Sequence, residues 1–383
     1  MTTIVKAHHA SDFLALVPQL AGFQPRNSVV LVAFRGRRTC GALRFDLPSA
    51  GSVTALKRIA TTVIGILCKL PGIDGVVPVA YTDDRFRGTV GIPHADFMHA
   101  IVRCAKRSGF RVRDALCVAA DGWGGYLDED TPENGYPLDD IATSAVGDTI
   151  PVSDKVVLGD VADRARIPAV DLATTERVAR LLAQRQDGRW CAGLPGRSPA
   201  GGAGASGISG AAGLVELALG SAGSYLSDED AASLLWQFQS PGSRDAAMLQ
   251  FAFGVAMGEA ARVGEEQFWH GDDRGALRSA SLMFGEGPRP DPHRVEQAIA
   301  VLLALTARAP ASLRPAPLTM LGWLSWALGR GSVAGSFVEQ ALAIDPDYGM
   351  AGLLGAMLDA GRLPEWAFAE PDTQPGSRPG RYR

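Results

Sequence analysis

Residues 28–35, SVVLVAFR, form an unbroken apolar run between Asn27 and Gly36. Such a run predicts a strand covered on both faces. A basic turn, Arg35-Gly36-Arg37-Arg38, leads into TCGALRFDLP, where Leu43, Phe45 and Leu47 alternate with Ala42, Arg44 and Asp46. The two segments read as a hairpin that Pro48 ends. Apolar residues then recur at helical spacing from Val53 to Leu70. GVVPVAY at 75–81 reads as a further strand, placed near a sheet edge because Pro78 lacks a ladder donor. Pro93 suits the first position of a helix running to about Ser108, with Gly109 as its stop. RVRDALCVAAD at 111–121 reads as one more strand. This order predicts an α/β domain, a hairpin plus a βαβαβ-like mixed sheet, with right-handed crossovers where strands are parallel.

Residues 121–150 are rich in turn formers and acids, and an amphipathic helix follows from Asp171 to about Arg185. From Gly193 to Gly213, eight of twenty-one residues are Gly. Such a composition predicts a flexible linker, and no phosphate-loop lysine follows its glycines. Everything beyond it has helical patterning, at Ser227–Gln239, Arg244–Glu259, Pro292–Arg308, Leu318–Gly329, Val333–Ile344 and Asp347–Ala360. Ser227 with Asp230 resembles a capping box, and Asp345-Pro346-Asp347 is a break. The expected organisation is an α/β domain over 1–190, a linker over 191–213 and an all-α domain over 214–383.

Composition narrows the classes. The 383 residues are 46% hydrophobic and 20% charged, which fits a folded chain of two domains. A net charge of −4 provides no global field toward nucleic acid or an anionic membrane; Arg35, Arg37 and Arg38 make only a small patch at a hairpin tip. The apolar runs Val29–Phe34 and Val63–Cys68 are too short to span a bilayer, and the start, MTTIVKAHHASDF, lacks the pattern of a secretory signal. Five separated cysteines without a CxxC predict reduced, buried thiols in a cytoplasmic protein. Of 37 Lys+Arg only five are Lys, which reads as the coding bias of a GC-rich genome.

Three groups of residues are candidates for function. Leu321-Gly322, Ala334, Ala341 and Pro346 have the spacing of a tetratricopeptide repeat, in which small residues let two antiparallel helices approach. Leu318, Ser325 and Val338 replace the aromatics of that pattern, and no second copy lies thirty-four residues away. A repeat-like helical hairpin near 318–346 is therefore expected, with Arg244, Trp323 and Trp326 as candidate protein contacts. The second group is acidic: Asp83 and Asp84 follow one strand and Asp121 another, at carboxyl ends where open α/β sheets bind ligands, and Asp46 could join them. Trp123 and Tyr126 lie beside them and could floor a pocket. Asp and Gly are also ordinary turn residues, and aromatics cover sheet edges equally well. The third group is negative. His8, His9, His94 and His99 lack metal-ligand spacing, no HExxH or GxSxG occurs, and Cys117 sits in an apolar strand where an inert thiol is expected.

FLALVPQLAGFQPRNSVVLVAF (13–34) and the hairpin ending at Phe45-Asp46-Leu47-Pro48 resemble the opening of an actinobacterial and actinophage family, domain of unknown function 4192. The resemblance continues through Val79–Asp83, Val112-Arg113-Asp114, Asp121-Gly122-Trp123, Tyr126, Gly135–Leu138 and Arg244–Ala247 to Ala341-Leu342 and Asp345–Tyr348. Similar sequences carry a second aromatic beside Trp123 and cysteines in the following loop, where this chain has Gly124, Gly125 and no Cys between 117 and 191. The resemblance supplies no reaction, and any cofactor is left unknown. The leading expectation is a non-catalytic, cytoplasmic protein-interaction or scaffold protein, with a protein as partner and neither membrane nor nucleic acid. The alternative is a small-ligand binder or metal-assisted enzyme, with Mg²⁺ held by Asp83, Asp84 and Asp121 beside Trp123.

Overall fold

The computed structural model describes residues 7–48, 51–146, 161–186, 210–220 and 226–367. The chain forms two compact units, the first reaching Arg164 and the second running from Ala165 to Ala367. The first is α/β with a mixed sheet and the second is helical. No helix among the described residues is long and apolar enough to cross a membrane.

In the first unit, α1 (Ala10–Ala21) precedes the hairpin of β1 (Ser28–Arg35) and β2 (Arg38–Asp46). There follow α2 (Val53–Leu67), β3 (Gly75–Tyr81), α3 (Ala95–Arg107), β4 (Arg111–Val112), β5 (Leu116–Val118) and β6 (Trp123–Gly125), then the short helices α4 (Asp139–Ala142) and α5 (Val161–Arg164). The sheet order is β2-β1-β3-β5-β6, with β4 also paired to β3. β1 runs antiparallel to both β2 and β3, and β3 is parallel to β4 and β5. The unbroken apolar run of β1 is buried on both faces because two layers cover the sheet. Val29, Leu31, Ala80 and Cys117 meet α2 and α3, whereas Val30, Val32, Val79 and Leu116 meet Leu14 and Val17 of α1.

Pro78 does not mark an edge, since β3 lies between β1 and its parallel neighbours. Val76 O accepts from Arg113 N and Thr82 N donates to Val118 O, so even-numbered backbone groups of β3 face β4 and β5. Pro78 is therefore opposite residues 113–115, where pairing passes from β4 to β5 and needs no donor. That interruption also divides the expected strand 111–121 in two. The expectation of buried thiols fails for Cys40 and Cys68, which are exposed, while Cys117 is buried.

The second unit comprises α6 (Leu172–Gln186), α7 (Gly210–Gly220), α8 (Asp228–Phe238), α9 (Pro241–Phe253), α10 (Val255–Trp269), α11 (Arg274–Met283), α12 (Pro292–Arg308), α13 (Pro315–Ala327), α14 (Gly331–Ile344) and α15 (Gly349–Asp359). The division falls after Arg164, not at 191–213, because α6 packs on α8. Val178 and Leu182 are buried there, and Arg177 Nε donates to Asp228 Oδ2 at 2.7 Å. Residues 191–209 of the expected linker lie outside the described residues, and 210–213 open α7. The helix expected over Arg244–Glu259 is two helices. Gly254, at φ 94° and ψ 174°, ends α9 and begins α10 in a conformation that side-chain-bearing residues rarely adopt. Every residue of α13 is buried, and Gly322 brings α14 close, since a Cβ there would lie 3.3 Å from Ala334 O.

Candidate functional site

Two places carry residues with chemistry to offer, one in each unit. In the first unit, Asp46 pairs with Ser28, Ser28 with Tyr81, Tyr81 with Val118 and Val118 with Trp123. The carboxyl ends of β2, β3 and β5 therefore share one edge, and Asp46 joins the other acids on it. Each acid there already has a partner. Asp83 accepts from Asn27 Nδ2 at 2.6 Å, while its own N–H donates to Asn27 Oδ1 at 3.0 Å. Asp84 Oδ2 lies 3.2 Å from His94 Nε2, which is also 3.1 Å from Thr82 Oγ1. Asp121 accepts from the backbone of Phe86 at 2.8 Å and of Arg87 at 3.2 Å. Burial alone would raise the Asp121 carboxyl, but these N–H donors, with Arg85 nearby, hold it below the usual carboxylate range. Asp46 takes Arg44 at 2.6 Å.

Patterning did not single out His94 for this edge. It begins α3 at φ 58°, a left-handed conformation costing a non-glycine residue roughly 1–2 kcal/mol. Tyr126 supports it from below: its hydroxyl donates to Pro93 O at 2.5 Å, and burial pushes its phenol far up. Cys117, beside Tyr126, is pushed up to about 12 by burial, which leaves an inert thiol. Trp123 is not in a loop but in β6, its ring tilted by 33° against that of Tyr136 at 4.7 Å between centroids. The glycines after it have a steric reason. A Cβ on Gly124 would lie 2.6 Å from the Thr131 methyl, and one on Gly125 would lie 3.0 Å from Asp128 Cβ. One cross-strand row also carries three buried polar atoms without a hydrogen-bond partner among the described residues: Ser28 Oγ, the Tyr81 hydroxyl and Trp123 Nε1. No group of three or more His, Cys, Asp or Glu that could hold a metal ion occurs among the described residues.

The second place is a pocket of about 530 Å³ in the helical unit. The first turn of α9 provides Pro241, Gly242, Arg244 and Asp245 to its lining; α10 adds Ala261, Glu265, Phe268 and Trp269. The opposite wall is Ala276, Ser279, Ala280 and Met283 of α11 with Phe284, and Met350, Leu353, Leu354 and Met357 of α15 close it beside Trp323. α10 and α11 touch through their backbones, since a Cβ on Gly275 would stand 2.6 Å from Gly264 Cα. Apolar side chains continue onto the surface at the mouth, where Trp269 is 77% and Leu353 67% exposed.

Arg244 is almost fully buried at the end of this pocket. Its Nε donates to Asp245 Oδ1 at 2.9 Å and its Nη1 to the Tyr348 hydroxyl at 2.8 Å. Burial pushes the Asp245 carboxyl up in spite of Arg244. Trp323 shares the pocket but is core, its Nε1 donating to Met283 O at 2.8 Å. Trp326 is fully buried as well, donates to Arg362 O at 2.7 Å and packs against Trp366, so neither indole is presented at the surface. Patterning missed α11, whose pocket-facing side chains are mostly small, and with it one wall of the pocket.

The family described as Domain of unknown function (DUF4192) matches residues 11–269 and 289–365. The chain belongs to that family. The match leaves out residues 270–288, which contain α11. No curated protein and no solved structure matches the chain.

Proposed function

We propose that the chain is a non-catalytic protein-interaction protein whose helical unit receives apolar side chains of a partner protein. The apolar pocket between α9, α10, α11 and α15 carries this reading, because its lining continues onto exposed Phe268, Trp269 and Leu353. A continuous apolar surface of that kind is a marker of protein contact. The α13–α14 hairpin supports a tetratricopeptide-like character, with Gly322 facing Ala334 and Pro346 beyond the second helix. Free cysteines, two of them exposed, agree with a reducing, cytoplasmic setting, and the Arg-for-Lys composition agrees with an actinobacterial or phage origin. The rival reading, a metal-assisted or small-ligand site at the sheet edge, is disfavoured because Asp83, Asp84 and Asp121 each serve a different internal partner.

The test is affinity capture from an actinobacterial lysate with the full chain and with Ala280→Trp, which fills the pocket. A protein retained by the first and lost by the second, with circular dichroism unchanged, is the expected result. Identical captured proteins from both would overturn the reading.

A further inference from the structure

The charge at the pocket allows its occupant to be specified further, given the protein-contact reading above. Arg244 is the cation of the lining, and it is not available to a ligand. Its side chain is 9% exposed, and its guanidinium is directed to Asp245 Oδ1 and the Tyr348 hydroxyl. The anionic groups are differently placed. Asp245 is 40% exposed, and its Oδ2 has no partner among the described residues. Glu265 lies over the first turn of α9, so close to Gly242 that any β-carbon there would overlap its carboxylate. No cation pairs with it among the described residues. The mouth thus combines apolar side chains with carboxylates, and among the described residues its lining offers no free positive charge.

We propose that the pocket binds an amphipathic protein segment whose apolar side chains are flanked by Lys or Arg. Its apolar residues enter between α11 and α15, and its cations reach Asp245 Oδ2 and Glu265. An acidic segment, a phosphate or a nucleic acid would meet the carboxylates of Asp245 and Glu265, and the one cation of the lining, Arg244, is already committed to Asp245 and Tyr348. Met283, Met350 and Met357 line the walls, and unbranched thioether side chains re-pack around differently shaped apolar groups. α11 lies between the two segments of the family match, so the wall that adjusts the fit is a feature of this chain beyond what the family match covers.

Fluorescence anisotropy with the full chain and three labelled helical peptides tests this. One has Leu and Phe on one face and Lys on the other, the second replaces Lys by Glu, and the third replaces Leu and Phe by Ser. The expected result is that the Lys peptide binds about tenfold or more tightly than the Glu peptide at low salt, and that the Ser peptide does not bind. That preference should shrink in Glu265→Gln, in Asp245→Asn and at high salt. Equal binding of the Lys and Glu peptides, lost in Ala280→Trp, would overturn the charge inference and leave the apolar contact standing. Binding of none of the peptides would overturn the inference, and the lysate capture then decides the broader reading separately.

Discussion

Tyr81 shows how a single residue can fit its place sterically and still cost free energy. Its ring fills the α1 face of the sheet, but its hydroxyl is buried without a partner among the described residues. An unpaired buried hydroxyl costs about 1–3 kcal/mol, so Tyr81→Phe should leave stability unchanged or raise it by about 1 kcal/mol, read by urea unfolding. A fall in stability would mean that the hydroxyl is hydrogen-bonded in solution. Asp121 has the opposite role, since both of its oxygens hold the backbone of residues 86 and 87. Asp121→Asn keeps one acceptor, and faster hydrogen exchange at the Phe86 and Arg87 amides is expected. Unchanged exchange would remove Asp121 as the fastener of that loop. The sequence displayed both residues; that one lacks a partner and the other has two depends on atoms 34 or more positions away.

At the scale of elements, periodicity located β1, β2, β3 and most of the longer helices because their burial is local in origin: alternating or 3.6-residue patterns must face a core. It failed where a backbone conformation decided. Gly254 interrupts an otherwise continuous helical pattern, and at φ 94° and ψ 174° only glycine is comfortable. Gly254→Ala should cost about 1–3 kcal/mol or fuse α9 and α10 into one helix, which thermal unfolding and an experimental structure would separate. α11 was illegible for another reason: the side chains it turns to the pocket are mostly small, Ala276, Ser279 and Ala280 before Met283, and Gly275 meets Gly264 through backbone. Gly275→Val should destabilise the helical unit by about 1–3 kcal/mol and weaken peptide binding by moving one wall of the pocket. Retained binding in a destabilised Gly275→Val chain would show that α11 is not part of the site.

Over the whole molecule, acid sensitivity follows from carboxylates held in their charged form. Asp12 is lowered by Ser144 and by the His8 and His9 amides, and Asp121 by Phe86 and Arg87 against burial. In the helical unit burial would raise Glu216, but hydrogen bonds from Arg294 and Gln250 bring it below the ordinary range. A folded-state value below the unfolded one gives stability that is complete above about pH 4 and disappears as pH falls through the folded value. Glu216→Gln should therefore flatten the acid limb of stability against pH, an unchanged limb counting against this account. The sequence by itself determined the α/β region followed by helices, the family, and the acidic strand ends, because these rest on local patterning and residue type. Tertiary structure decided that α6 joins the helical unit, that the edge acids bind separate partners, and that Arg244 is buried beside an apolar pocket. Those outcomes depend on contacts between residues far apart in sequence, which no local pattern encodes.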